Sequence, residues 1–174
     1  MGETLSNNSR LMQNDEMIKF HEMNESFNGK AILITGAARR VGKIFALACA
    51  RAGADIVIHH GSSDDEAEAV RTENLEMGHN AWIFKADLSD SAQAEGLIPL
   101  VNELTRLDGL VNSAAIFESL SMGTTSLDDR QKHLQINLTA PFLLSQAFAR
   151  EAQEGARIVN IVDWRALRPG AADI

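Results

Sequence analysis

The chain has 174 residues, of which 45% are hydrophobic and 23% charged, enough for one globular domain with a sizeable core. Its net charge of -8 argues against a general nucleic-acid binder or a protein that coats anionic membranes. The single cysteine, Cys49, cannot form an internal disulfide, and the sequence shows neither a signal-peptide pattern nor a membrane-spanning apolar run, so we expect a cytoplasmic protein.

Short apolar runs alternate with helical patterns along most of the chain. Residues 1–28 are polar and rich in asparagine, and we predict a flexible extension there. From Gly29 onward the apolar runs predict buried parallel strands over 30–36, 54–60, 80–90, 107–115 and 157–163. The intervening patterns predict helices over 41–53, 64–77, 91–106 and 128–149.

This alternation predicts an α/β protein with a doubly wound parallel sheet, the Rossmann fold, over residues 29–174. We expect the domain to be incomplete at its C-terminus, after the fifth strand. In open parallel sheets, ligands bind beyond the carboxyl ends of the strands. Polar residues follow all five predicted strands, at 35–42, 59–63, 87–89, 112–115 and 163, so these positions form the predicted site.

The loop after the first strand reads TGAARRVG. Gly36 and Gly42 bracket a tight turn that lets backbone N–H groups at a helix N-terminus face a phosphate. The spacing is not G-x-G-x-x-G, because Arg40 stands where a middle glycine would be expected, so the two glycines alone are equally compatible with an ordinary strand-to-helix turn. The guanidiniums of Arg39 and Arg40 favour an additional phosphate, and Val41 completes the predicted cofactor loop.

The end of the second predicted strand bears on the choice of nucleotide. An NAD site usually carries Asp or Glu there to hold the ribose 2′-hydroxyl, whereas this chain has HHGSS. His60, Ser62 and Ser63 can donate hydrogen bonds to a 2′-phosphate, so we predict NADP(H) as the cofactor. A metal site at His59 and His60 is disfavoured, because no Cys, His or carboxylate partner lies at ligand spacing.

Five motifs in the right order resemble the short-chain dehydrogenase/reductase family over residues 29–174. Its Thr-Gly-x-x-x-Gly-x-Gly loop matches at Thr35, Gly36 and Gly42. Arg40 in place of the middle glycine is similar to pteridine reductases, a branch of that family. The resemblance places Asp87 and Leu88 at the adenine of the cofactor. It also assigns Asn112 and Ala114 to the cofactor, in a variant of Asn-Asn-Ala-Gly that departs at Ser113 and Ala115. Asn137 matches the asparagine that supports a proton-relay water.

The predicted catalytic centre departs from most of the family. Most members have Ser after the fifth strand, whereas Asp163 stands here, as in pteridine-reductase-like enzymes. Such a carboxyl group can orient a substrate's ring nitrogens and help to deliver a proton, and a dry pocket would raise its pKa. Capping the following segment is the alternative for Asp163. The resemblance also requires a Tyr-x-x-x-Lys pair near position 175 or 176, and the chain contains no tyrosine.

We therefore expect an NADPH-dependent oxidoreductase that is inactive as the isolated 174-residue chain. Hydride would pass to a C=N or C=O of a small molecule, with a pterin or folate favoured and a 3-oxoacyl thioester or another ketone as runner-up. Phe117 is placed either in the core, which is favoured, or against a pterin. A non-catalytic nucleotide-binding protein remains the alternative. We expect the full-length form to be a homo-oligomer, a dimer or tetramer, with no metal, nucleic-acid or membrane partner.

Overall fold

The computed structural model describes residues 27–121 and 123–163. Five strands form one wholly parallel sheet in the order β3-β2-β1-β4-β5. They are β1 (Ala31–Ile34), β2 (Asp55–His60), β3 (Ala81–Lys85), β4 (Gly109–Asn112) and β5 (Arg157–Asn160). The α-helices are α1 (Arg40–Arg51), α2 (Asp64–Glu76), α3 (Ser91–Asn102), α4 (Leu127–Leu134) and α5 (Ala140–Glu151), and a π-helix, Gln135–Thr139, joins the last two.

The central strand, β1, is covered on both faces of the sheet because it is apolar at every position. All four residues of β1 are buried, and successive side chains point to opposite faces. Leu33 packs with the residues of α3 and α5, whereas Ile34 packs with those of α1 and α2. These two core layers confirm the predicted doubly wound α/β architecture.

Four of the five predicted strands reach further into the polar loops than the hydrogen-bonded ladder does, since the first ends at Ile34 rather than at residue 36 and the fourth at Asn112 rather than at residue 115. The third ends at Lys85 rather than at residue 90, and the fifth ends at Asn160 rather than at residue 163. One further backbone bond follows each of these two ends: Ala86 N–H donates to the carbonyl oxygen of His60 at 3.1 Å, and Ile161 N–H donates to that of Asn112 at 2.9 Å. The polar residues thus lie just outside the sheet.

The long helix predicted over 128–149 is interrupted. Ala140 N–H donates to the carbonyl oxygen of Gln135, five residues back, so one turn is a π-helix. The hydrophobic pattern does not reveal this, because an extra residue in one turn leaves the apolar spacing on either side interpretable as a helix. Asn137 lies within that turn.

Phe27, the first described residue, is hydrogen-bonded to the end of the first helix. Phe27 N–H donates to the carbonyl oxygen of Ala52, at the end of α1, at 2.9 Å. The rest of the predicted extension, residues 1–26, lies outside the described residues. Within the described part of the chain, none of the helices is long and apolar enough to cross a membrane.

Candidate functional site

Thr35 ties the loop after β1 to the loop after β4. Its side chain is 1% exposed, and its Oγ1 accepts the backbone N–H groups of Ser113 at 2.9 Å and Ala114 at 3.0 Å. Its own N–H donates to the carbonyl oxygen of Val111 at 2.9 Å. One buried hydroxyl therefore fixes two neighbouring loops of the predicted site against each other.

Gly36 and Gly42 allow the chain to close tightly around the start of α1. Gly36 has a φ of +66°, and a Cβ there would lie 3.0 Å from the Cα of Ala114. A Cβ on Gly42 would lie 2.2 Å from the carbonyl oxygen of Gly36. Neither position accommodates a side chain, so the turn brings the N-terminus of α1 to the sheet edge, where its N–H groups can face an anion.

The two arginines of this turn differ in their surroundings. Arg39 donates through Nε to the carboxylate of Glu66 on α2 at 2.7 Å. Arg40 forms no ion pair within the described residues and has a φ of +50°, the left-handed region that glycine favours. Val41, the next residue of the predicted cofactor loop, is half-exposed. Within the described residues, the guanidinium of Arg39 is therefore paired with a carboxylate, whereas that of Arg40 is not.

The end of β2 carries a buried imidazole and two hydroxyls. His60 is 3% exposed, its Nδ1 has no hydrogen-bond partner within the described residues, and burial lowers its pKa. Ser62 is exposed and Ser63 half-buried, and the hydroxyl of Ser63 does not cap the helix that follows. Asp64 opens α2, and its hydrogen bond from Lys85, at 2.8 Å, holds its pKa below the ordinary value.

Asp87 and Leu88 follow β3 but point into different environments. The carboxylate of Asp87 accepts the N–H of Ser89 at 2.9 Å and its hydroxyl at 2.7 Å, and these bonds lower the pKa of Asp87. Leu88 is 6% exposed and packs in the core layer with α3 and α5. The local bonds give this turn a fixed shape.

Asn112, at the end of β4, is used as a cross-link. Its Nδ2 donates to the hydroxyl of Ser145 on α5 at 3.1 Å and to Oδ1 of Asn160 on β5 at 2.8 Å. The residue is 4% exposed, and its Oδ1 has no hydrogen-bond partner within the described residues. The predicted cofactor residue therefore also holds the sheet to the helix behind it.

Asn137 and Asp163 lie on the β4–β5 side of the site. The amide of Asn137 accepts the N–H of Ile116 and donates to its carbonyl oxygen, both at 2.9 Å, so the π-helix holds the segment after β4. Asp163 is exposed and follows the last residue of β5, Asn160, by three positions. Asp87 follows the edge strand at the opposite side of the sheet, β3.

The sequence places His59 among the predicted site positions 59–63 and disfavours it as a metal ligand, and the structure shows a specific role for it. Its side chain is 2% exposed. Nδ1 lies 3.3 Å from the N–H of Gly36, and Nε2 lies 3.1 Å from the carbonyl oxygen of Ala86. Burial lowers its pKa from 6.5 to about 4, so the ring is neutral near pH 7. The one sequence signal was a histidine in a buried strand.

No group of three or more histidine, cysteine or acidic side chains that could hold a metal ion occurs among residues 27–121 and 123–163. The contacts described above are instead made by glycine backbone, arginines, hydroxyls and amides. Backbone N–H groups and guanidiniums suit a phosphate-bearing organic ligand.

Comparison with known proteins agrees with this geometry. Residues 30–172 match the short chain dehydrogenase family. The 3-oxoacyl-[acyl-carrier-protein] reductase of Synechocystis sp. is 31% identical over 153 residues, which cover 85% of this chain and 62% of that protein. The galactitol 2-dehydrogenase of Agrobacterium fabrum is 32% identical over 138 residues, covering 77% of this chain and 52% of that protein.

A solved structure of a short chain dehydrogenase from Burkholderia cenocepacia, in complex with NADP, superposes with a TM-score of 0.81 at 35% identity, covering 83% of this chain and 59% of that one. A blue fluorescent protein from a metagenomic library, in complex with NADPH, gives 0.76 at 35% identity, covering 82% and 59%. The chain belongs to the short chain dehydrogenase family. It spans about half to three fifths of the length of the curated relatives it matches.

The buried imidazole of His59 makes folding stability depend on pH. The unfolded chain binds this proton near pH 6.5 and the folded chain only near pH 4, so between these values the unfolded state binds more protons. The stabilisation is complete above about pH 6.5 and is lost as the pH falls towards about 4, by on the order of 3 kcal/mol. Urea denaturation across this range should show the loss.

The His59→Asn variant, which cannot titrate, is the comparison. Its free energy of unfolding should fall less steeply with acidification than that of the unmodified chain. A residual slope is expected from His60, whose pKa is also lowered. Parallel curves for the two proteins would contradict a depressed His59 pKa.

Proposed function

We propose that this chain is the NADP(H)-binding portion of a reductase that transfers hydride to a C=N or C=O of a small molecule. The observation that carries the proposal is the turn from Gly36 to Gly42, which is closed so tightly that a Cβ at Gly42 would strike a backbone oxygen. The same turn carries Arg39 and Arg40. A tight glycine turn at a helix N-terminus suits the pyrophosphate of a dinucleotide, and the arginines suit a further phosphate.

The described residues fit such a nucleotide along the carboxyl edge of the sheet. We assign the N-terminus of α1 and Arg40 to the phosphates. The 2′-phosphate is assigned to the end of β2, where the donors are His60, Ser62 and Ser63, and His60 carries a buried nitrogen without a described partner. The adenine is assigned to the turn at Asp87 and Leu88, and the nicotinamide side to the loop of Asn112 and Ala114. When bound, NADPH supplies the hydride.

The charges around β2 also favour the phosphorylated nucleotide. A carboxylate at the end of this strand would repel a 2′-phosphate, and the strand ends on two histidines instead. The nearby carboxylates of Asp64 and Glu66, on α2, are occupied by Lys85 and Arg39. Each pair is exposed to solvent, so its strength is modest and a phosphate can compete for the cation.

On the catalytic side, we assign Asp163 to orient the substrate and to hold a proton, and Asn137 to support a relay water. Asp163 lies beyond β5, and Asn137 lies in the π-helix beside the loop after β4, so both flank the proposed nicotinamide position. We further propose that a Tyr-x-x-x-Lys pair in a longer, cytoplasmic and homo-oligomeric protein completes the centre, and that the isolated chain is inactive.

A pterin or folate is the favoured substrate, because the carboxyl group of Asp163 suits a ring that carries several nitrogen donors. Phe117 is 72% exposed, so its ring lies outside the core, where the sequence had favoured placing it. A 3-oxoacyl thioester is the second candidate, favoured by the likeness to the 3-oxoacyl-[acyl-carrier-protein] reductase of Synechocystis.

Removing the charge of Arg40 should weaken the preference for the phosphorylated nucleotide. In Arg40→Gln we expect the affinity for NADPH to fall about tenfold and that for NADH to fall less, since a charge-assisted bond to phosphate is worth roughly 1.5–3 kcal/mol before solvent competes. Isothermal titration measures both dissociation constants.

The control for Arg40→Gln is Arg106→Gln, an exposed arginine near the amino end of β4, which should leave both affinities unchanged. Equal affinities for NADPH and NADH in the unmodified chain would contradict the proposed 2′-phosphate site.

Freeing Arg39 should have the opposite effect. In Glu66→Gln the guanidinium no longer shares its charge with a carboxylate, and we expect NADPH to bind about two- to fivefold more tightly, in line with the strength of exposed ion pairs. The NADH affinity should change little. Glu68→Gln, which alters a pair with Arg71 on the same helix, is the matched control. Tighter NADH binding to the same extent would indicate a general charge effect.

The two substrate classes separate in steady-state assays of the full-length protein. We expect NADPH-dependent reduction of dihydrobiopterin, with Asp163→Ala lowering kcat/KM because the carboxyl group no longer contacts the ring. Acetoacetyl thioester is assayed in parallel with both proteins. Turnover of the thioester alone would favour the second candidate, and turnover of neither would leave the nucleotide-binding role as the surviving function.

A further inference from the structure

A single buried side chain on β2 links two turns at the carboxyl edge of the sheet. His59 is the fifth residue of β2, and its ring lies between the turn after β1 and the turn after β3. The ring contacts the N–H of Gly36 on one side and the carbonyl oxygen of Ala86 on the other. Its backbone contributes as well, because the carbonyl oxygen of His59 accepts the N–H of Ala37 at 2.9 Å.

The two partners determine where the ring proton lies. A carbonyl oxygen only accepts, so Nε2 must carry the proton that bonds Ala86. In a neutral ring Nδ1 is then unprotonated, and it is available to accept the N–H of Gly36. With the ring 2% exposed, water does not compete for either bond. The carbonyl group of Ala86 therefore sets the tautomer that makes Nδ1 an acceptor.

The contact falls at the residue where the phosphate turn bends. Gly36 has a positive φ, and a Cβ at this residue would lie within 3.0 Å of Ala114. Its carbonyl oxygen lies against Gly42 in the first turn of α1. A rotation of the Gly36 peptide would consequently move the N-terminus of α1, which is the proposed phosphate site.

We propose that His59 is a positioning residue for the phosphate turn: its Nδ1 holds the Gly36 N–H, and the Ala86 carbonyl holds the ring in the required tautomer, so that nucleotide affinity depends on this acceptor. The inference rests on the proposed NADP(H) site. It adds a residue that does not itself touch the nucleotide and that acts through the backbone of Gly36.

Two variants separate the halves of the imidazole. His59→Asn places an amide oxygen close to the position of Nδ1, so it can still accept the Gly36 N–H but does not reach Ala86. His59→Gln places an amide nitrogen close to the position of Nε2, so it can still donate to Ala86 but leaves Gly36 without its acceptor. Each variant removes one hydrogen bond, and we expect similar decreases in the midpoint of urea unfolding.

The two variants should differ in their affinity for NADPH although they do not differ in stability. We expect His59→Asn to bind NADPH within about threefold of the unmodified chain, and His59→Gln to bind about tenfold more weakly, because only the latter loosens the phosphate turn. Titrations are made at neutral pH with the full 174-residue chain. Equal NADPH affinities in all three proteins, or losses that simply follow stability, would overturn the inference and assign His59 a structural role alone.

Two measurements without nucleotide keep this test independent of the proposed function. Nitrogen-15 NMR of the imidazole should show the proton on Nε2, and amide exchange at Gly36 should be slow in the unmodified chain and in His59→Asn but faster in His59→Gln. A proton on Nδ1, or the same Gly36 exchange rate in all three proteins, would overturn the inference. If these signatures hold but the unmodified chain does not bind NADPH, the proposed function fails and the hold on Gly36 stands.

Discussion

At the end of β1, three backbone segments approach so closely that no side chain fits between them. Gly36 lies against Ala114 of the loop after β4, and Gly42 in α1 lies against the carbonyl oxygen of Gly36. The position of α1 follows from this contact, and α1 in turn covers β1 and β2 on one face of the sheet. The first loop is therefore both a packing junction and the candidate phosphate site, so substitutions that disturb one should disturb the other.

Beyond the ends of the strands, hydrogen bonds from buried polar side chains hold the loops in place. Thr35 accepts two N–H groups of the loop after β4, and Asn112 joins β4 to β5 and to α5. These groups are almost fully buried, so each bond that they satisfy avoids a large desolvation cost. The edge of the sheet thus gains a defined shape from a few side chains rather than from loop length or flexibility.

Much of the architecture could be predicted from the sequence, because apolar runs that end in polar residues are typical of buried parallel strands. The glycine spacing of the first loop likewise revealed its tight turn. The π-helix was missed because the apolar spacing on either side of it is still that of a helix. The bonds that Asn137 makes from this turn go to Ile116, which is 21 residues away, so no local pattern reveals them. The bridging role of His59 was missed for a similar reason: its partners lie on two other loops, and HHGSS is compatible with several kinds of site.

At position 40, the residue type that suits the backbone conformation differs from the one that suits the proposed nucleotide contact. Its backbone adopts a left-handed conformation, which costs a residue with a Cβ roughly 1–2 kcal/mol and costs glycine almost nothing. A sequence optimised for thermal stability alone would therefore favour glycine here, at the expense of the cation assigned to the nucleotide. Position 40 is a site of stability–function trade-off, and stabilised variants of this protein obtained by selection would be expected to lose cofactor discrimination through it first.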